Sequence, residues 1–143
     1  MIDRNGLIKL LNEYNIDGEK IIKNNPKTLI YGDKKIIREN LEFLLSIDIK
    51  QKNIIKCPSI LYLKEVPDLK RNWNFLITKT ELNKENIESC LHILSSEHTE
   101  MIKIYNYLIE KFGIEFIKKA VYLLSRDSLD EIRRIVNIFE KTV

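Results

Sequence analysis

Apolar residues recur along this chain at helical spacing, and the same pattern returns at a near-constant interval. Four cores, "LIKLL" at 7–11, "LEFLL" at 41–45, "WNFLI" at 73–77 and "YNYLI" at 105–109, start 34, 32 and 32 residues apart. Around the second core, Ile36, Ile37, Leu41, Leu44 and Leu45 fall on one stripe at i, i+4 spacing, the mark of an amphipathic helix. After each core a short turn leads to a second apolar segment: "GEKIIKNNPKTLI", "QKNIIKCPSIL", "KENIESCLHIL" and "EFIKKAVYLL". The chain closes with "SLDEIRRIVNIFE", a first helix with no second one behind it. This pattern predicts an all-α fold: an α-solenoid of about four ~32-residue helix-pair repeats plus a C-terminal helix, about nine helices in a single domain over 1–143.

Local chemistry marks the ends of these helices. Asp48 with Gln51, and Ser128 with Glu131, have capping-box spacing, while Asp33 and Asn83 stand ready to cap the helices that follow them. Pro67 suits a first helical position, where its missing N–H costs nothing. Gly113 suits a helix end. Pro26 and Pro58 each stop a second helix, and the residues after them predict a 3₁₀ turn that packs a leucine inward. The expected core is Leu41, Leu44, Ile54, Leu61, Trp73, Leu76, Ile87, Leu94, Tyr105, Leu108, Ile117 and Leu124.

Helix pairs followed by Ile-x-x-x-Pro-x-x-Leu at this period, seen in Ile22/Pro26/Leu29 and Ile54/Pro58/Leu61, resemble the repeat of the mitochondrial transcription termination factor (mTERF) family. The third and fourth segments carry Leu91 and Val121 where the first two carry proline. The resemblance implies a helical superhelix that binds nucleic acid, commonly duplex DNA, along a basic concave face.

Composition narrows the class without choosing the partner. A hydrophobic share of 44%, a charged share of 31%, four Gly and three Pro in 143 residues suit a helical globule better than a loop-rich β fold. No apolar run reaches the ~20 residues of a membrane span, and no secretory or transit signal is visible, so a reducing, cytoplasmic setting is expected. The net charge of +3 permits a nucleic-acid partner without demanding one.

Basic residues follow the repeat. Aligned on the cores, Arg38, Lys70 with Arg71, Lys103, and Arg133 with Arg134 share one helical position to within a residue. One positive charge per repeat would draw a line that meets phosphates and gives affinity without base readout. A solvated helix face, with Glu39, Asp68, Glu100 and Asp130 as local partners, would carry the same residues. The partner is accordingly nucleic acid, duplex DNA or RNA, on the concave face. A protein ligand is the alternative, the short solenoid then acting as an adaptor or inhibitor of the kind a mobile element carries.

Other chemistry is sparse. Cys57 and Cys90 occupy one column and read as small core thiols, and neither they nor His92 and His98 have metal-ligand spacing. Phe43, Trp73, Phe75, Tyr105 and Tyr107 read as packing between repeats, with base stacking as the lesser option. No phosphate loop, nucleophile elbow or His-Glu-x-x-His occurs. The sequence points to a protein that is not an enzyme and takes no cofactor and no metal.

Overall fold

The computed structural model describes residues 2–142. Every regular element among them is helical and no strand occurs, so the all-α expectation holds. The chain divides into two compact units, one ending at Lys70 and one beginning at Arg71.

In the first unit, α1 (Arg4–Asn12), α2 (Gly18–Asn24) and α3 (Lys27–Tyr31) run in the order long helix, short helix, closing turn. The same order follows in α4 (Lys34–Ser46), α5 (Gln51–Lys56) and a 3₁₀ turn over Pro58–Leu61, before α6 (Val66–Lys79) begins. Acidic side chains open three of these helices. Asp3 accepts from the Asn5 and Gly6 N–H groups, Asp17 from Glu19 and Lys20, and Asp33 from Ile36 at 3.1 Å. Leu7, Leu11, Ile21, Ile37, Leu41, Leu44, Ile54, Ile60 and Leu61 are fully buried and make the core.

Two local expectations are corrected in this unit. The cap of α5 is Lys50, which makes no side-chain cap bond, so the Asp48–Gln51 box does not form. Asp48 instead turns the chain at φ 63°, as Asn15 does after α1 at φ 60°. Both are short polar residues that tolerate the left-handed region. The segment after Pro26 is a single α turn rather than a 3₁₀ one, closed by the Gly32 N–H on the Thr28 carbonyl at 3.0 Å.

The second unit holds the rest of α6, then α7 (Lys84–Glu88) and a 3₁₀ turn over Leu91–Ser95. Next come α8 (His98–Phe112), α9 (Ile114–Lys119) and a 3₁₀ turn over Val121–Ser125, and α10 (Leu129–Thr142) ends the chain. Ten α-helices therefore stand among the described residues where about nine were expected. Asn83 and Asn86 close a reciprocal capping box on α7. Ser128 Oγ accepts from the Glu131 N–H at 3.2 Å, half of the box expected there, while Glu100 accepts from the Leu129 N–H at 3.0 Å. Gly113, at φ 83°, lets α8 stop and α9 start with no loop between them. Leu76, Ile87, Leu94, Met101, Ile104, Leu108, Ile117 and Leu124 form this unit's core, while Trp73, expected inside, is only half-buried.

Candidate nucleic-acid interface

All six basic residues singled out in the sequence are solvent-exposed, each on a long helix. In the first unit, Arg38 on α4 already has partners. Its Nη1 donates to Glu13 Oε2 at 2.9 Å and to the Tyr14 hydroxyl at 3.1 Å, and its guanidinium lies 5.8 Å from the Tyr14 ring centre. The Tyr14 hydroxyl in turn donates to Glu42 Oε1 at 2.8 Å. The Glu13 hydrogen bond, followed by that of Tyr14, holds the Arg38 guanidinium above its ordinary pKa. Partial burial, then the Glu42 hydrogen bond, pushes the Tyr14 phenol up. Lys70 lies beside Glu39, Glu42, Phe43 and Ser46 around a shallow concavity of about 370 Å³.

In the second unit the four remaining cations have different settings. Lys103 Nζ reaches Glu100 Oε1 at 3.7 Å, a local pairing that the solvated-face reading named. Arg133 stacks its guanidinium 5.7 Å from the Tyr107 ring centre, and Lys111 lies over the same ring at 5.9 Å. Lys111 Nζ also donates to Glu140 at 2.9 Å, which raises its pKa. Arg71 and Arg134 extend to solvent from α6 and α10. Arg38 is thus charge-compensated, whereas Lys70 and Arg134 have no counter-charge within ion-pair distance among the described residues.

Charge is distributed unevenly between the units, a signal that the helix-core alignment passes over. Of 24 basic and 21 acidic side chains, 13 and 10 lie at or before Lys70, and 11 and 11 lie from Arg71 onward. The whole net charge of +3 therefore belongs to the first unit.

The second unit contains a polar concavity of about 320 Å³ lined by His92, Tyr122, Ser125, Arg126, Asp127 and Glu131. Ser125 Oγ donates to the Tyr122 carbonyl at 2.7 Å, so its 2.8 Å contact with His92 Nε2 is one in which the imidazole N–H donates. Cys90 Sγ lies 3.5 Å from Nδ1 and 3.4 Å from Nε2 of the same ring. Near-equal distances to both nitrogens put the sulfur over the ring face, off the line of either lone pair. The pair is not arranged to pass a proton from thiol to imidazole. Burial lowers the His92 pKa and raises that of the Cys57 thiol. Both cysteines are half-buried rather than enclosed in the core. Among the described residues no three His, Cys, Asp or Glu side chains come together as a metal site.

Two buried polar residues escaped the sequence reading. Asn40 and Asn72, 32 positions apart, are both fully buried. Asn40 Nδ2 donates to the carbonyls of Leu61 at 3.0 Å and Lys64 at 2.8 Å. Asn72 Nδ2 donates to those of Leu94 at 2.9 Å and Ser96 at 2.8 Å. Each amide ties a long helix to the closing turn of its own helix pair, and the carbonyls it serves would otherwise lose their hydrogen bonds inside the core. The signal was present: an Asn immediately before two of the four apolar cores.

These features define an all-α protein whose first unit is cationic. No family model, no curated protein and no solved structure matches the chain. No helix among the described residues is long and apolar enough to cross a membrane.

Proposed function

We propose that the chain is a helical-repeat solenoid, mTERF-like in its modules, that binds nucleic acid through phosphate contacts and performs no chemistry on it. Four helix-pair modules of ~32 residues and a closing helix would make the solenoid, and the matching roles of Asn40 and Asn72 one period apart support that reading. The observation that carries the function is the confinement of the net +3 charge to residues up to Lys70. Two thiols that form no disulfide suit a reducing cytoplasm.

A mobility-shift titration at two salt concentrations tests this. Each phosphate contact contributes a slope of about −0.9 in log K against log salt on duplex DNA, or about −0.7 on a single strand. Changing Lys70 and Arg71 together to Ala should flatten the slope by about one to two units and weaken binding alike on all sequences. Arg38→Ala should do less, because Glu13 and Tyr14 already hold its charge. Absence of any shift at about 50 mM salt would refute the reading.

One observation favours a protein ligand instead. On α10, Ile135, Ile138 and Phe139 are 39%, 61% and 62% exposed, an apolar stripe at i, i+3, i+4 spacing. If a protein is the ligand, Ile138→Asp should abolish its capture and leave nucleic-acid titrations unchanged.

A further inference from the structure

The first unit holds a cleft of about 590 Å³ away from the long-helix cations, lined by Asn25, Lys27, Tyr31, Ser59, Tyr62 and Leu63. It lies between the segments that close the two helix pairs. The Tyr31 and Tyr62 rings stack across it with centroids 6.3 Å apart and planes inclined by 27°. Tyr31 is 66% exposed, so its ring is accessible from solvent. The polar groups around the rings are arranged in a chain. Asn25 Oδ1 accepts the Lys27 backbone N–H at 3.1 Å, and Asn25 Nδ2 donates to the Tyr62 hydroxyl at 2.9 Å. The Tyr62 oxygen therefore acts as acceptor, and its own proton remains available to a ligand.

The charge around the cleft is predominantly positive. Residues 18–32, from the start of α2, contain Lys20, Lys23 and Lys27 against Glu19, and residues 49–64 contain Lys50, Lys52, Lys56 and Lys64 and no acid. In the second unit the corresponding residues 84–96 carry one lysine against two glutamates. Lys20 with Lys23 and Lys52 with Lys56 lie on the exposed faces of α2 and α5 at i, i+3 and i, i+4 spacing. Those helices are neighbours, joined by Asn24 Nδ2 on the Ile55 carbonyl at 2.9 Å. Lys20, Lys23, Lys27, Lys52 and Lys56 form no ion pair among the described residues.

The exposed Tyr31 ring, a spare hydroxyl donor on Tyr62 and a lysine-rich surface select a ligand that is planar, hydrogen-bonding and polyanionic at once. A duplex hides its base faces in its own stack, and an acidic peptide of Asp and Glu has no ring face to offer. We infer that the Tyr31–Tyr62 cleft stacks a base of single-stranded nucleic acid whose backbone runs along the lysines of α2 and α5. The inference rests on the nucleic-acid reading above, but it assigns a single strand as ligand and a different site.

Fluorescence anisotropy of the full chain with labelled oligo-dT and oligo-U of about 12 nucleotides tests it, with a duplex and poly-glutamate as competitors. Tyr31→Ala should weaken single-strand binding by about 5- to 100-fold without altering the salt slope, and Tyr31→Phe should bind as wild type. Lys52 and Lys56 changed together to Ala should flatten the slope by about 1.4. Circular dichroism checks that each variant is folded. If Tyr31→Ala proves unfolded, Tyr31→Leu, which keeps bulk without a ring face, takes its place and should show the same loss. Single-strand binding that survives loss of the ring within about twofold would overturn the cleft and leave the nucleic-acid reading standing. Equal competition by poly-glutamate would also overturn it. Failure of wild type to bind any nucleic acid would sink both.

Discussion

Asn72 and His98 are joined by a 2.8 Å hydrogen bond between the amide oxygen and imidazole Nδ1. Because Asn72 Nδ2 faces two carbonyls, its oxygen must be the acceptor, and Nδ1 of His98 must carry the proton. Asn40 makes the matching amide contacts, but its oxygen is buried without a partner. His98 is the first residue of α8, and the first residue of α6, 32 positions earlier, is Val66, which has nothing to donate.

This difference gives a pair of opposite predictions. His98→Val should destabilise by about 1–2 kcal/mol, since it leaves the Asn72 oxygen unpaired in the core. Val66→His should stabilise by about 0.5–1 kcal/mol by supplying the Asn40 oxygen with a donor. Urea unfolding of both variants checks the signs, and a loss from Val66→His would refute the equivalence.

Gly113→Ala should cost about 1 kcal/mol or more for backbone reasons alone. A Cβ there would meet nothing within 4 Å, yet φ is 83°, a conformation that alanine rarely adopts. Thermal melts would show the loss, and an unchanged midpoint would mean that the α8–α9 junction relaxes freely.

Leu61→Ala should cost about 2–5 kcal/mol, since the side chain is fully buried in the 3₁₀ turn after Pro58. A loss under about 0.5 kcal/mol would make that turn a dispensable loop.

Stability should fall as pH drops from about 7 to 5, in part through His92. Its folded pKa is lowered, chiefly by burial, so the unfolded chain binds the proton more readily. The contribution is present above the ordinary histidine pKa and is lost as pH falls through the folded value. Cys90, Arg126, Asp127 and Glu131 surround the site, so the measurement is a difference between wild type and His92→Gln. The variant's stability should depend less on pH over that interval.

The sequence alone determined the helical class, the approximate helix boundaries and most of the buried set, because helical periodicity and capping are local and survive without knowledge of neighbours. Leu41, Leu44, Ile54, Leu61, Leu76, Ile87, Leu94, Leu108, Ile117 and Leu124 are buried as their spacing predicts. Trp73 departs from this and is only half-buried. What depends on three-dimensional proximity could not be read in advance. Arg38 finds its partner in Glu13, 25 residues away, rather than in the adjacent Glu39. Asn40 and Asn72 look like solvent-facing residues in a helix until the carbonyls of a closing turn arrive above them. Tyr31 and Tyr62 become a stacked pair only when two turns are brought together. Periodicity tells a side chain which way to face, and only packing decides what it meets there.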